Sequence, residues 1–229
     1  MMTEIINYGL IGFSGKMGEE ISKLFSEKGY FCAFKKNTTT EELDNTRNID
    51  VIIDFSSPNA LADSIKYSKD FQSPLIVGTT GLTIAQIEQL KELSKKVPVV
   101  QAYNFSTGIQ LLIKIVELTN NYIPDWDIEI VETHHNQKKD KPSGTALMLK
   151  EKLNNDVSIS SLRIGGIPGD HKVIFGSFGE ILELSHRVIS KRTFAEGVLK
   201  ATQFIKGKKC GFYSYSQVLF SGEALNEQS

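Results

Sequence analysis

The densest group of reactive side chains is the stretch Glu132-Thr-His134-His135-Asn-Gln-Lys138-Lys-Asp140-Lys-Pro-Ser143-Gly144-Thr145-Ala146. It places two proton-transfer groups, His134 and Lys138, beside a candidate anion site. Pro142 suits a helix start, Ser143 can cap it, and the N–H groups near Gly144 and Thr145 face the positive end of the helix dipole. A carboxylate would suit that end, while His134 and Lys138 could supply protons or positive charge to a reacting imine. Paired histidines near an aspartate invite a metal reading. On an extended strand, however, His134 and His135 point to opposite faces, and His171 and His186 stand at no ligand spacing from them, so no metal is expected. Taken alone, a solvated strand-end loop explains these residues about as well as catalysis does.

A second candidate site lies near the N-terminus, where Gly9-Leu-Ile-Gly12-Phe13-Ser14-Gly15-Lys16-Met17-Gly18 follows an apolar run and precedes an amphipathic one. Glycines there allow a tight turn, a close approach of backbone N–H groups to a pyrophosphate, and packing of the helix on the sheet. Ser14 occupies the place of the second glycine of the usual dinucleotide fingerprint. A ligand-free glycine turn is the weaker reading. The next apolar run, Tyr30 to Phe34, ends in Lys35-Lys36-Asn37 rather than in the carboxylate that accepts ribose hydroxyls. Two lysines would attract a 2'-phosphate, which favours NADPH, although a lysine pair at a strand end is often only a solvated edge. Three further turns carry small polar groups: Asp54-Phe-Ser56-Ser-Pro58, Gly78-Thr79-Thr80-Gly81 and Tyr103-Asn104-Phe105-Ser106. They should line the same crevice if each ends a parallel strand.

The elements needed to position these groups are legible as alternating periodicities. Short apolar runs at 5–11, 30–34, 51–55, 75–77 and 97–100 alternate with amphipathic stretches at 16–27, 59–68 and 83–95, the pattern of a parallel sheet covered by helices. In the last stretch Ile84, Ile87, Leu90 and Leu93 fall on one stripe behind a Thr83 cap. Beyond a helix at about 108–120, runs at 126–133, 162–164, 172–175 and 181–188 read as strands, with a helix at 143–153 among them. That change implies a second, smaller α+β domain with a mixed or antiparallel sheet, and a boundary near residue 105. A last helix at about 194–205 precedes an aromatic tail.

Composition bounds the rest. With 26 basic and 27 acidic residues the net charge is −1, which gives no reason to expect a nucleic-acid partner. Apolar runs fall far short of a membrane span and the N-terminus lacks a signal-peptide pattern, so a cytoplasmic protein is expected. Cys32 and Cys210 suggest neither a disulfide nor a metal site.

The Glu132–Ala146 stretch resembles the E-x-H-H-x-x-K-x-D-x-P-S-G-T-A signature of the 4-hydroxy-tetrahydrodipicolinate (dihydrodipicolinate) reductases. The motifs Gly12-x-x-Gly-Lys-Met-Gly18, Asp54-Phe-Ser56, Gly78-Thr-Thr-Gly81, Asn104-Phe-Ser106, Gly169-Asp-His171, Glu183-Leu-Ser-His-Arg187 and Phe194-Ala195 match in order. The resemblance implies an α/β protein: a Rossmann-like doubly wound parallel sheet from residues 1–105 with 192–229, and a substrate-binding and oligomerisation domain from 106–191. It implies reduction of 4-hydroxy-tetrahydrodipicolinate to tetrahydrodipicolinate with loss of water, in lysine and diaminopimelate biosynthesis. NADPH is expected as the preferred cofactor, with NADH as the alternative, and a homotetramer as the assembly.

Carried over residue by residue, the resemblance makes His134 and Lys138 the catalytic proton-transfer groups, and His135, Ser143, Gly144 and Thr145 the substrate contacts. Cofactor contacts fall on Gly12, Phe13, Ser14, Gly15, Lys16 and Met17, on Lys36, on Gly78, Thr79 and Thr80, and on Tyr103, Asn104, Phe105 and Ser106. Lys35 and Ser56 join them from the strand-end argument. Hinges near 105 and 190 are expected. The chain departs from common members at Tyr103, at Lys141 and in two shortened loops. A reductase for another small oxo acid or imine is the nearest rival reading. A non-catalytic dinucleotide sensor is another, but it would not need the acid groups His134 and Lys138 beside Ser143-Gly144-Thr145.

Overall fold

A computed structural model describes residues 5–153 and 157–221. The backbone divides into two compact units, one built from residues up to 105 together with those from 194 onward, the other from 106–193. In chain order the first unit contributes β1 (Asn7–Ile11), α1 (Lys16–Glu27), β2 (Phe31–Lys36), β3 (Glu41–Leu43), β4 (Val51–Asp54), α2 (Leu61–Asp70), β5 (Leu75–Val77), α3 (Ile84–Ser94) and β6 (Pro98–Gln101). The second unit then supplies α4 (Thr107–Tyr122), β7 (Asp127–His134), α5 (Gly144–Lys150), β8 (Ser158–Arg163), β9 (Asp170–Gly176) and β10 (Ile181–Arg187). The chain returns to the first unit with α6 (Arg192–Ile205), β11 (Gly211–Ser214) and α7 (Tyr215–Phe220).

The first unit carries a seven-stranded sheet in the order β11-β6-β5-β4-β1-β2-β3, parallel throughout except for β3, which pairs antiparallel to β2. Its central strands are buried on both faces, as the continuous apolar run Val51-Ile-Ile requires. One face packs against α1 and α6, where Ile21, Leu24 and Phe25 are almost wholly buried; each such side chain contributes about 1.5–3 kcal/mol. The other face packs with Leu61, Leu90 and Leu93 of α2 and α3. The α3 start is the predicted one: Thr83 Oγ1 accepts from Gln86 N at 3.2 Å and Gln86 Oε1 accepts from Thr83 N at 2.9 Å, a reciprocal cap. Ile84, by contrast, is 85% exposed and lies off the buried stripe that Leu90 and Leu93 form.

Two strands escape the sequence pattern. The β3 strand is fully exposed and acidic, with no alternation to betray it, and it blunts the sheet edge with Glu41 and Glu42. The aromatic tail supplies β11 and α7, with Ser214 and Gln217 forming a second reciprocal cap.

The second unit carries a four-stranded mixed sheet, β10-β9-β7-β8, in which only β7 and β8 run parallel. One face holds Ile130, Val173 and Phe175 against Ile109, Val116, Ala146 and Leu149 of α4 and α5. No helix among the described residues is long and apolar enough to cross a membrane.

Candidate active site

The first unit builds a crevice at the carboxyl ends of β1 and β4. After β1 the chain turns at Gly12 with φ +85°, and a Cβ there would lie 2.5 Å from the Phe55 carbonyl oxygen. Only glycine meets both conditions. Gly18 is equally constrained, since its Cβ would approach Gly12 O to 2.3 Å, so α1 rests directly on the turn. Gly15 caps α1 without a side chain, leaving the helix start built from backbone alone. The adjoining cavity, of ≈ 560 Å³, is lined by Gly12, Ser14, Gly15, Lys36 and Ser56 among others. A glycine turn ahead of an uncapped helix, opening on such a cavity, fits a dinucleotide pyrophosphate.

Asp54 organises this end of the sheet. It is wholly buried; one carboxylate oxygen accepts from Ser56 N at 2.9 Å, Ser56 Oγ at 2.5 Å and Thr79 Oγ1 at 2.9 Å, and the other accepts from Ser64 Oγ at 2.7 Å. The turns after β4 and β5 are thereby tied together. Lys36 reaches the cavity, yet its ammonium already pairs with Glu41 at 2.8 Å and lies 3.8 Å from Asp63. Its hydrogen bond to Glu41 raises its pKa. Lys35 pairs with Glu42 at 2.9 Å and sits over the Phe13 ring.

The remaining expected cofactor residues divide between the surface and packing. Lys16, Thr80 and Tyr103 are exposed, Gly78 and Asn104 are half-buried, and Phe13 and Met17 pack against the first core. Thr79 points inward to Asp54. Phe105 is 1% exposed and its ring lies between Phe55 and Tyr215, so its side chain serves the core. Ser106 belongs to the second unit, where its Oγ accepts from Ile109 N at 3.3 Å at the start of α4 and approaches His186 Nε2 at 3.3 Å.

In the second unit the reactive groups gather at the end of β7. Alternation along this strand buries Ile130, Glu132 and His134 on one face, so the same periodicity that fills the core carries a carboxylate and an imidazole inward. Glu132 is 0% exposed. Its Oε2 accepts from His134 Nδ1 at 2.5 Å and from Arg163 Nη1 at 2.9 Å, while Oε1 accepts from Arg163 Nη2 at 2.7 Å and Ser143 N at 3.2 Å. Burial pushes the Glu132 carboxyl up, but the hydrogen bonds from Arg163, Ser161 and His134 outweigh it and hold the group lowered to about 2. Burial pushes the His134 imidazole down, and Glu132 opposes part of that fall. An ionised Glu132 requires Nδ1 of His134 to carry a proton.

Lys138 lies four residues further on, half-buried, its ammonium 2.8 Å from Asp140. His135 is half-buried just past the strand end, and Lys138 N donates to its carbonyl. Ser143 caps α5, its Oγ accepting from Ala146 N at 3.2 Å; Gly144, which is exposed, and Thr145 form the first turn.

Sequence reasoning misses Arg163 and His171 as site residues: Arg163 falls in a short run with only a strand signature, and His171 stands in the motif Gly169-Asp-His171 at no ligand spacing from His134. Antiparallel pairing places His171 opposite Glu132, its ring edge-on to that of His134 at 5.2 Å and its Nε2 3.2 Å from Ser143 Oγ. The alternation His171-Lys-Val173-Ile-Phe175 carries the signal that would have put His171 on the core face. Burial, with His134 adding to it, pushes the His171 imidazole down to about 3. Among the described residues no group of three or more His, Cys, Asp or Glu could hold a metal ion.

Comparison with known proteins bears on both units. The family model described as dihydrodipicolinate reductase, N-terminus, matches residues 6–105, and that described as dihydrodipicolinate reductase, C-terminus, matches 108–219. The 4-hydroxy-tetrahydrodipicolinate reductase of Thermosipho africanus is 47% identical over 216 residues, covering 93% of this chain and 98% of that protein. The protein of the same name from Clostridium novyi is 36% identical, covering 96% and 99%. A dipicolinate-bound dihydrodipicolinate reductase from Paenisporosarcina sp. TG-14 has the same fold, with a TM-score of 0.71 at 24% identity over 92% of this chain and 98% of that one. The chain thus belongs to the dihydrodipicolinate reductase family and is an oxidoreductase dependent on a nicotinamide nucleotide.

Proposed function

We propose that the protein reduces 4-hydroxy-tetrahydrodipicolinate to tetrahydrodipicolinate with loss of water, as a step of lysine and diaminopimelate biosynthesis in the cytoplasm. The observation that carries this reading is the loop from His134 to Thr145. It gathers an imidazole bonded to a buried carboxylate, a lysine and the start of a capped helix within twelve residues of chain. The nicotinamide, when bound, supplies the hydride. Gly12 to Met17 would hold the pyrophosphate by backbone N–H groups, with Ser56, Gly78 to Thr80 and Tyr103 to Ser106 completing the cofactor site. On the protein side, His134 keeps Nδ1 on Glu132 and offers Nε2 to the substrate, and Lys138 is the second proton donor. His135, Ser143 and the backbone N–H groups of Gly144 and Thr145 would take the two substrate carboxylates.

In this proposal the first unit is the dinucleotide domain, the second binds substrate, and four copies assemble. Exposed apolar side chains on the second unit, among them Leu162, Ile181 and Leu182, support assembly, and light scattering tests it. NADPH is the preferred cofactor here, because Lys36 lines the cavity; a 2'-phosphate must compete with Glu41 for that ammonium. Comparing kcat/KM for the two nucleotides tests this, and a clear NADH preference refutes it. The reaction itself is tested by NADPH oxidation with the unstable substrate generated in place from pyruvate and aspartate semialdehyde by its synthase. Oxidation that depends on the synthase and both of its substrates supports the proposal; nucleotide binding without oxidation overturns it.

A further inference from the structure

The buried ion pair beneath His134 is not among the proposed substrate or cofactor contacts, yet it touches one proposed proton-transfer group directly and is linked to the other through Asp140. Glu132 receives a forked pair of bonds from Arg163 at 2.9 and 2.7 Å, the planar bidentate arrangement for which guanidinium and carboxylate are matched. The same Arg163 Nη2 donates to the Asp140 carbonyl at 2.6 Å. Asp140 in turn holds the Lys138 ammonium at 2.8 Å. One guanidinium, 7% exposed, is thus linked through Glu132 to the imidazole and through the Asp140 residue to the lysine.

We propose that Glu132 and Arg163 are positioning residues for the reduction: Glu132 fixes the His134 ring and its Nδ1–H tautomer, so that Nε2 is the reacting nitrogen, and Arg163 locks Glu132 and the Lys138 loop in one register. This rests on the reading of His134 as a proton-transfer group. The geometry supplies the reason for each part. A carboxylate at 2.5 Å from Nδ1 leaves only Nε2 to exchange a proton. Glycine at 169 keeps a side chain away from Nε2, since a Cβ there would lie 3.1 Å from it. The charged and titratable groups facing His134 are Glu132 on its own strand, Arg163 from β8, His171 from β9, and Lys138 with Asp140 from the loop. Only Glu132 raises its pKa among the causes that set it, while burial, Lys138 and Arg163 lower it.

The first test needs no substitution. A nitrogen-15 histidine spectrum of the full-length protein near neutral pH, assigned by difference against His134→Gln, should show His134 protonated on Nδ1. An Nε2–H tautomer overturns the inference. The second test is the pH dependence of kcat/KM in Glu132→Gln, which keeps shape and removes charge. The limb set by His134 should move down by about one pH unit or more, because an opposite charge within hydrogen-bonding range shifts a pKa by about one to three units. With it kcat should fall on the order of 10²-fold and KM by less than about threefold either way. Glu132→Asp should bring the limb back even if kcat stays low. An unmoved limb in a folded Glu132→Gln protein overturns the inference and leaves the reductase reading standing, provided His134→Gln is inactive. Full activity of His134→Gln overturns the reading of His134 and this inference with it.

Discussion

Replacing Asp54 should loosen the cofactor end of the first sheet without touching a ligand atom directly. In Asp54→Ala four acceptor contacts vanish together, but the cost is uneven. Ser56 N keeps Thr79 Oγ1 at 3.1 Å, the half-buried Ser56 hydroxyl can turn to water, and Ser64 Oγ has only the Ala60 carbonyl at 3.4 Å to fall back on. Thr79, 3% exposed, is left without an acceptor for its hydroxyl. Each buried donor stranded in this way costs about 1–3 kcal/mol, so Thr79 and Ser64 together predict a loss of about 2–6 kcal/mol, toward the lower end where Ser64 turns to Ala60. Asp54→Asn keeps one oxygen for Ser56 and Thr79 and turns its amide toward Ser64 Oγ, which can accept. Only the charge contribution is lost, about 1–2 kcal/mol. Hydrogen exchange resolved by peptide is the assay, because it reads opening locally. Peptides spanning 51–57 and 75–80 should lose protection in the order wild type, Asn, Ala, while the β7 peptide stays unchanged. Protection in Asp54→Ala within about 0.5 kcal/mol of wild type would refute the reasoning.

Lys138→Ala should lower kcat by at least about 10²-fold while the Kd for NADPH stays within about twofold, measured by stopped-flow turnover and fluorescence titration; equal losses of both would make Lys138 structural. Gly197→Ala would drive a Cβ to 1.8 Å from Phe105 O, so it should cost about 3 kcal/mol or more, whereas Gly176→Ala meets nothing within 4 Å and should be within about 1 kcal/mol of neutral in urea denaturation. Stability should also fall with pH in a defined window. His171, lowered from 6.5 to about 3, stabilises the fold fully above pH 6.5 and loses that contribution as pH falls toward 3. Glu132, lowered from 4.5 to about 2, stabilises it above pH 4.5 and fails below that. Urea midpoints at pH 7.5, 5.5 and 4 should therefore decline in that order, and a flat series would contradict the His171 assignment.

What could be read from the sequence follows from the range of the interactions involved. The parallel sheet announces itself because β4 and β5 are buried on both faces and carry the continuous apolar runs Val51-Ile-Ile and Leu75-Ile-Val. The glycine turn is legible because φ +85° at Gly12 and the contact of Gly18 with Gly12 O admit no side chain. The acid loop is legible because His134, Lys138 and the Ser143 cap lie within one contiguous stretch. Arg163 and His171 are not, since they reach Glu132 only through strand pairings whose register is set by tertiary structure. Nor does the sequence show that β3, folding back as an exposed hairpin, delivers Glu41 and Glu42 onto Lys36 and Lys35. That the Phe105 side chain packs on Tyr215 and the Thr79 hydroxyl joins the Asp54 network is likewise a matter of tertiary contacts.

The order of strands in the first sheet has a consequence for how the chain is made. The edge of β6 is completed by β11, which pairs Pro98 with Gly211. A nascent chain therefore extrudes the whole second unit before that edge is covered. During this interval Val99 and Val100 lie on a strand with open N–H and C=O groups, the usual template for wrong pairing. Domains form as they leave the ribosome when their residues are contiguous. Here the first unit must wait, and the acidic β3 can guard only the opposite edge. A stop codon between α6 and β11 would thus yield a chain prone to aggregate rather than a trimmed enzyme.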